Sequence, residues 1–279
     1  MNRIPEALDL KVVQSWLVPR PSDANKGQFG HVLVVGGDHG MPGSVRLAAE
    51  GAARVGAGLV TVATRPEHVI STVNSRPELL CYGLNMPAEC LATLVANASV
   101  IVLGPGLGKS AWSKELFDQV MLSSLPLIVD ADGLNWLAHE VPHVKRENWV
   151  LTPHPGEAAR LLNMTVNQIQ SDRIQAVQLL QQRYGGVIVL KGAGTLICST
   201  NQTVQECLSG NPGMASAGMG DLLSGMIAGF VAQGFELWQA AQIGVMLHAE
   251  AGDRVALKQG QRGMLASDLL MELPGLVNY

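Results

Sequence analysis

Six short runs in this chain hold almost no polar side chain: His31 to Val35, Leu59 to Ala63, Val100 to Leu103, Leu127 to Val129, Trp149 to Thr152 and Val187 to Leu190. A strand with one wet face alternates apolar and polar residues, so HVLVV and VIVL belong to strands buried on both faces. Between the runs lie segments with helical spacing, at Ser44 to Val55, Pro87 to Ala96, Ala111 to Ser123, Gly156 to Leu162 and Asn167 to Tyr184. Strands alternating with helices predict βαβ units and hence an α/β fold, a three-layer α/β/α sandwich with a mainly parallel central sheet. Thr195 to Cys198 and Thr203 to Cys207 read as a hairpin; helices follow at Leu222 to Gln233, Leu237 to Leu257 and Ala266 to Glu272. With 279 residues, 47% of them hydrophobic, the chain can bury the core of such a sheet as one domain over 1–279, residues 1–28 being an N-terminal extension.

Open α/β sheets bind ligands at the carboxyl ends of their strands, and there this sequence collects glycine. GGDHGMPG (Gly36 to Gly43) follows HVLVV, and GPGLG (Gly104 to Gly108) follows the first VIVL. Neither satisfies the G-x-G-x-x-G fingerprint. Gly108, Lys109 and Ser110 match the end of a P-loop, but its first glycine would fall on Leu103. These loops read either as ligand floors or as ordinary tight βα turns.

The stretch Gly210 to Gly225, GNPGMASAGMGDLLSG, runs from small residues into an apolar helix with one carboxylate, Asp221, at the junction. Glycines at 213, 218 and 220 permit positive φ and close approach of a ligand. Free N–H groups of a first helical turn attract an anion, so Gly218, Met219 and Gly220 form a candidate anion hole and Asp221 a candidate base. Asp221 is equally a favoured helix cap. If it is the base, the helix dipole is expected to lower its pKa.

Three further positions stand at strand ends. Asp130, in LIVDADGLN, could order solvent, bind substrate or help place Mg²⁺, whereas Asp132 reads as the cap of a helix starting at Gly133 ahead of a metal role. His154 lies between two prolines that hold its loop extended. Lys191 opens KGAGT, where its ammonium and the backbone of Gly192 and Gly194 could meet a nucleotide phosphate or simply form a hairpin turn.

The formal net charge of -4 and the absence of a Lys/Arg run argue against nucleic acid and anionic membrane as partners. MNRIPEALDL has no apolar signal core and no run approaches bilayer length, so a cytoplasmic location is expected. Cys81, Cys90, Cys198 and Cys207 form no C-x-x-C pair and are expected as free thiols. The long apolar face of Leu237 to Leu257 either enters the core or serves a homo-oligomer contact, and an oligomer is expected.

From Phe29 to Leu270 the ordered markers RLAAEGAARVGAGLVTVAT, GPGLG, VDADGLN, LTPHPGEAARL, VLKGAGT and GNPGMASAGMGDLLSG resemble the ADP/ATP-dependent NAD(P)H-hydrate dehydratases of the ribokinase-like superfamily. The resemblance implies that hydrated NADH or NADPH (NADHX, NADPHX), in its S-epimer, binds around Ser44, Gly106, His154 and Asp221. Adenine nucleotide is implied at Lys191, Gly192, Ala193, Gly194, Thr195 and Gly220. Mg²⁺ is expected with the phosphates, with no protein metal ligand assigned, and ADP is favoured over ATP as phosphoryl donor. Ser44 stands where the family often has alanine. Relatives often carry an epimerase domain ahead of this one; about thirty residues precede the first strand, so a separate epimerase is the expected partner. Two alternatives remain: a thiazole- or pyrimidine-type kinase of the same superfamily, and a nucleotide sensor that has lost catalysis.

Overall fold

A computed structural model describes residues 4–74, 76–85, 87–140 and 144–278. Ten strands form one sheet: β1 (Glu6–Ala7), β2 (His31–Val35), β3 (Leu59–Thr64), β4 (Leu80–Gly83), β5 (Val100–Leu103), β6 (Leu127–Val129), β7 (Trp149–Leu151), β8 (Val187–Leu190), β9 (Thr195–Cys198) and β10 (Gln205–Cys207). Their order is β1-β10-β9-β8-β7-β6-β5-β2-β3-β4. Pairing is parallel from β8 through to β4, whereas β9 runs antiparallel to both its neighbours and β1 lies parallel to β10. The α/β sandwich and the hairpin therefore stand as expected. The segment before residue 29 does more than precede the sheet, because β1 forms its outermost strand. β1 is only two residues long, and the run Leu79 to Tyr82 that contains most of β4 was passed over in the sequence although it is apolar; both strands are largely exposed.

Alternate side chains of each central strand enter opposite cores: Val32 and Val34 point to one, Leu33 and Val35 to the other. On the first face lie α1 (Leu10–Ser15), α2 (Pro42–Arg54), α10 (Met219–Ala232), α11 (Leu237–Gln259), α12 (Ala266–Leu269) and α13 (Leu273–Val277). The second face carries α4 (Pro87–Ala96), α5 (Ala111–Met121), α6 (Ala131–Glu140), α7 (Pro155–Leu162), α8 (Val166–Ser171) and α9 (Arg173–Tyr184), and α3 (Val69–Val73) packs beside β4. The expected helix Asn167 to Tyr184 is two, since Asp172 leaves helical geometry and caps α9 through Gln175 N–H. Ala266 to Glu272 also stops early, with α13 restarting on a proline-bearing first turn. The apolar face of α11 is spent in the core, which removes this helix as support for an oligomer contact. No helix among the described residues is long and apolar enough to cross a membrane. Cys81, Cys198 and Cys207 are free thiols; the side chain of Cys90 lies outside the described residues.

Two features of this frame set up a site. β2 is the point where the chain reverses direction across the sheet, β3 and β4 lying to one side and β5 to the other, so the loops after β2 and β5 flank a switch-point crevice. They are stitched together: Gly37 N–H donates to Pro105 O at 3.0 Å and Asp38 N–H to Gly106 O at 2.7 Å. The second feature is the close crossing of α2 and α10. A Cβ at Gly225 would lie 1.8 Å from Ala48 O, so only glycine lets these backbones touch and fixes where α10 begins.

Candidate active site

The helix α10 starts at Met219, three residues before the apolar pattern suggests, with Gly218 as its N-cap at φ 85°. Glycine is a poor helix former, so the run GMG concealed a helical turn that packing on α2 enforces. Leu222 N–H, the fourth of the helix, is the first to find a helical acceptor, on Gly218 O at 2.9 Å. The N–H groups ahead of it have no intrahelical partner, which leaves them free as the donors an anion hole needs. Asp221 is the third residue of the helix and makes no capping bond, which removes the cap reading.

The electrostatics of Asp221 reverse the expectation of a lowered pKa. Burial pushes its carboxyl up to about 6, and the negative charges of Asp130 and Asp132 push the same way. The Ser44 hydroxyl and the Lys191 ammonium oppose this without overcoming it. Ser44, on the first turn of α2, thus faces the candidate base, and a Cβ on Gly106 would lie 3.0 Å from the Ser44 Cβ. Ser44, Gly106 and Asp221 are brought together where the β5 loop meets α2 and α10.

Behind them is a charge cluster. Lys191, at the end of β8, places Nζ 2.6 Å from Asp130 Oδ1 and 3.9 Å from Glu157 Oε2. Burial works against its charge, but Asp130, Glu157 and Asp221 raise its pKa, so it stays an ammonium. A Cβ on Gly220 would lie 3.0 Å from Lys191 Nζ and 3.4 Å from Asp130 Oδ2. A side chain at 220 would therefore crowd the Lys191 ammonium. Ala131, between the two aspartates, holds φ 47°, a conformation that costs a non-glycine residue energy and that collects at functional sites. Asp132 does not cap its helix, which begins at Ala131; it accepts from Gly108 N–H at 2.8 Å and from Asn135 at 3.1 Å, and so fixes the GPGLG loop.

His154 caps α7 reciprocally with Glu157: its Nδ1 accepts from Gly156 N–H at 2.9 Å, and Glu157 accepts from His154 N–H at 2.7 Å. Burial lowers the imidazole pKa, with Lys191 and Arg160 reinforcing it, so the ring is neutral at pH 7 with its proton on Nε2, 3.3 Å from Glu157. Burial raises Glu157 to about 7, against the pull of Lys191. Glu157 is an addition to the residues read from the sequence. Its signal was there, as an acidic residue three places after a loop residue that opens a helix.

A cleft of about 830 Å³ opens beside the α10 N-terminus. Lys191, Gly192, Ala193, Gly194, Thr195 and Gly220 all line it, as do His154 and Met219. KGAGT is the turn between β8 and β9, held by Arg173, which donates to Leu190 O at 3.2 Å and Gly194 O at 3.1 Å. From α11 comes His248, a second addition, 8% exposed and detectable only as a lone imidazole in an apolar helix. Burial lowers its pKa to about 4, Lys191 acting the same way and the Met219 backbone the other. Among the described residues, the buried side-chain atoms without a partner are Asp130 Oδ2, Ser216 Oγ and His248 Nε2. Ser216 and His248 line the cleft and Asp130 adjoins it under Gly220, so one polar ligand region accounts for all three. No group of three or more His, Cys, Asp or Glu side chains among the described residues is placed to hold a metal by itself.

The family described as NAD(P)H-hydrate dehydratase matches residues 32–275. The bifunctional NAD(P)H-hydrate repair enzyme Nnr of Coxiella burnetii is 56% identical over 97% of this chain, which covers 55% of that protein. The chain spans about half the length of the bifunctional relatives it matches. The ADP-dependent (S)-NAD(P)H-hydrate dehydratase of Neisseria meningitidis is 36% identical over 90% of this chain and 86% of its own length. The crystal structure of the Bacillus subtilis ADP/ATP-dependent NAD(P)H-hydrate dehydratase, co-crystallised with ATP and Mg²⁺, superposes with a TM-score of 0.85 at 27% identity, covering 99% of this chain and 98% of that one.

Proposed function

The chain belongs to the NAD(P)H-hydrate dehydratase family, and on that premise we propose that it returns hydrated NADH and NADPH to the reduced cofactors by nucleotide-dependent phosphorylation and elimination. The observation that carries this reading is a carboxylate of raised pKa, Asp221, set beside the open N-terminus of α10. A carboxylate poised near 6 is a stronger base than an ordinary aspartate and still ionised at pH 7.

In the first step the hydrate's ring hydroxyl gives its proton to Asp221, and its oxygen attacks the terminal phosphorus of the nucleotide. The bond from that phosphorus to its bridging oxygen breaks, and the shortened nucleotide leaves. Charge on the transferring phosphoryl meets the N–H groups of Gly218, Met219 and Gly220; one such donor is worth on the order of 3 kcal/mol elsewhere. In the second step the ring-nitrogen lone pair expels phosphate, and loss of a proton from the adjacent ring carbon restores the dihydropyridine. Hydroxide is a poor leaving group and phosphate a good one, so the kinase step serves the lyase step.

The hydrate lies against Ser44, Gly106 and neutral His154, and the adenine nucleotide against Lys191 to Thr195, with ADP the favoured donor as in the Neisseria relative. Mg²⁺ suits the donor set, since it is commonly held by one or two carboxylates together with substrate phosphates. Asp130 Oδ2, buried and unpartnered, would hold it with the phosphates, where it would neutralise phosphoryl charge. The bifunctional relatives support a partnership with an NAD(P)H-hydrate epimerase, which feeds the S-epimer to this site. A cytoplasmic location accords with the free thiols at Cys81, Cys198 and Cys207.

The test is recovery of NADH absorbance from its hydrate, with ADP and ATP run in parallel and phosphate release followed alongside. The expected result is NADH and phosphate in equal amounts, faster with ADP. A stably phosphorylated alcohol with no NADH would establish the kinase alternative instead.

A further inference from the structure

A second cavity, of about 530 Å³, lies between the β5 loop, α6 and α7, lined by Lys109, Asn135, Trp136, His139 and Arg160. It is tied to the candidate active site through a single loop. Gly106 abuts Ser44; two residues on, Gly108 O accepts from Trp136 Nε1 at 2.9 Å, and Gly108 N–H donates to Asp132. Asn135 bonds both Asp132 and Arg160, and the charge of Arg160 is felt by His154. The cavity is therefore joined through the GPGLG loop to the residues assigned to the hydrate, and it shares no lining residue with the nucleotide cleft.

Its chemistry is that of a phosphate-bearing, aromatic ligand. Two of the five lining side chains, Lys109 and Arg160, are cationic and none is a carboxylate. Lys109 is exposed and has no carboxylate within ion-pair distance among the described residues. Trp136 is fixed at one end by Gly108 and rests against Phe117, ring centroids 6.3 Å apart, which presents a held indole beside the charges. Cations for phosphates and an aromatic face for a base are what an adenylate requires, and the volume falls in the range of small-ligand sites.

We infer that this cavity receives the adenylate half of the dinucleotide hydrate, adenine against Trp136 and the pyrophosphate near Lys109 and Arg160. The inference rests on the proposed hydrate dehydratase reading, because it supplies that reading's substrate with a place for its non-reacting half. Two adenylate-bearing ligands, the donor nucleotide and the dinucleotide, must be bound at once, and the two cavities share no lining residue. Binding energy gathered here holds the nicotinamide ring over Asp221 without touching the chemistry. A free nucleotide acting as an effector has the same adenylate chemistry, and the experiment separates the two sources.

Two measurements decide it. In the first, ADP-ribose is titrated calorimetrically into protein already saturated with ADP. One further site per chain is expected, weakened about tenfold by Lys109→Glu. In the second, kcat/KM is compared for NADH hydrate and for the hydrate of reduced nicotinamide mononucleotide, which lacks the adenylate half. The wild-type preference for the dinucleotide is expected to fall about tenfold in Lys109→Glu. No ADP-ribose binding beyond the ADP-filled cleft overturns the inference, as does an unchanged preference, which would mark the cavity as an effector site or as unused. Failure of the wild type to turn over either hydrate sinks the dehydratase reading alone, since the calorimetric arm still tests the cavity.

Discussion

Two aspartates in this molecule directly follow a glycine at a ligand-facing loop, and they have opposite characters. Asp38, in the loop after β2, is 6% exposed; Arg65 meets it at 2.8 Å and the Ser113 hydroxyl donates to it at 3.1 Å. Burial opposes its charge, but Ser110, the His39 backbone and Arg65 outweigh it and hold the carboxyl down to about 2. Asp221 has burial, Asp130 and Asp132 against its charge and only Ser44 and Lys191 in favour, so it rises to about 6. Lys191 is already committed to Asp130. A glycine–aspartate pair thus becomes a clamp or a base according to what the other elements bring to it.

The sharpest break between them should be in turnover. Asp221→Asn keeps size and removes the base, and general-base catalysis is commonly worth 10²–10⁴ in rate, so kcat is expected to fall about 10³-fold with nucleotide affinity little changed. A kcat within tenfold of wild type would strip Asp221 of the role. Next comes stability at the other aspartate. Asp38→Asn leaves Arg65 without its carboxylate in a half-buried site and should cost about 2 kcal/mol, read as a lower urea midpoint at unchanged m-value. A depressed pKa means this contribution is present above pH 4 and lost as pH falls toward 2, so wild type and variant should converge in acid.

The same substitution at Asp221 should act in the other direction. Its folded pKa of about 6 lies above the ordinary value of about 3.9. A raised carboxylate favours the fold only while protonated; that contribution is complete below about pH 4 and disappears as pH rises through 6. At pH 7.5 the ionised side chain burdens the fold, and Asp221→Asn should gain about 1 kcal/mol, discounted because the group is partly solvated. The gain should vanish at pH 4. A variant less stable than wild type at pH 7.5 would make Asp221 a second clamp and end the contrast.

How much of this was legible follows from what each element depends on. Strands β2, β5, β6 and β8 were read to the residue because burial on both faces leaves an apolar run that nothing else produces. β1 and β4 were not, since they are exposed edge strands held by backbone pairing. Gly218, Met219 and Gly220 were read as candidate donors, but the start of α10 was placed too late because contact with α2, not propensity, decides it. The Asp221 pKa was read with the wrong sign. The dipole of its own helix is local and visible in sequence, whereas Asp130 and Asp132 reach it across the sheet from β6 and α6. His248 was missed for a related reason, since the cleft it lines is built by other elements, whereas Glu157 carried a local capping signal that went unused.

The smallest effect concerns Ser44. Its hydroxyl stabilises the ionised form of Asp221, so in wild type kcat should fall about tenfold per pH unit once pH drops below about 6. Ser44→Ala removes one of the two groups that hold the carboxylate down and leaves burial, Asp130 and Asp132 unopposed except by Lys191. The acid limb of the kcat profile is therefore expected to move to higher pH by a fraction of a unit, while the rate on the plateau at pH 8 stays close to wild type. Titration of kcat from pH 5 to 8 in both proteins measures this. A limb that moves to lower pH would mean that the hydroxyl turns its oxygen toward the carboxylate instead of donating to it. Asp221 would then owe part of its raised pKa to Ser44, and the contrast with Asp38, which Ser110 helps to hold down, would extend to the serine beside each aspartate.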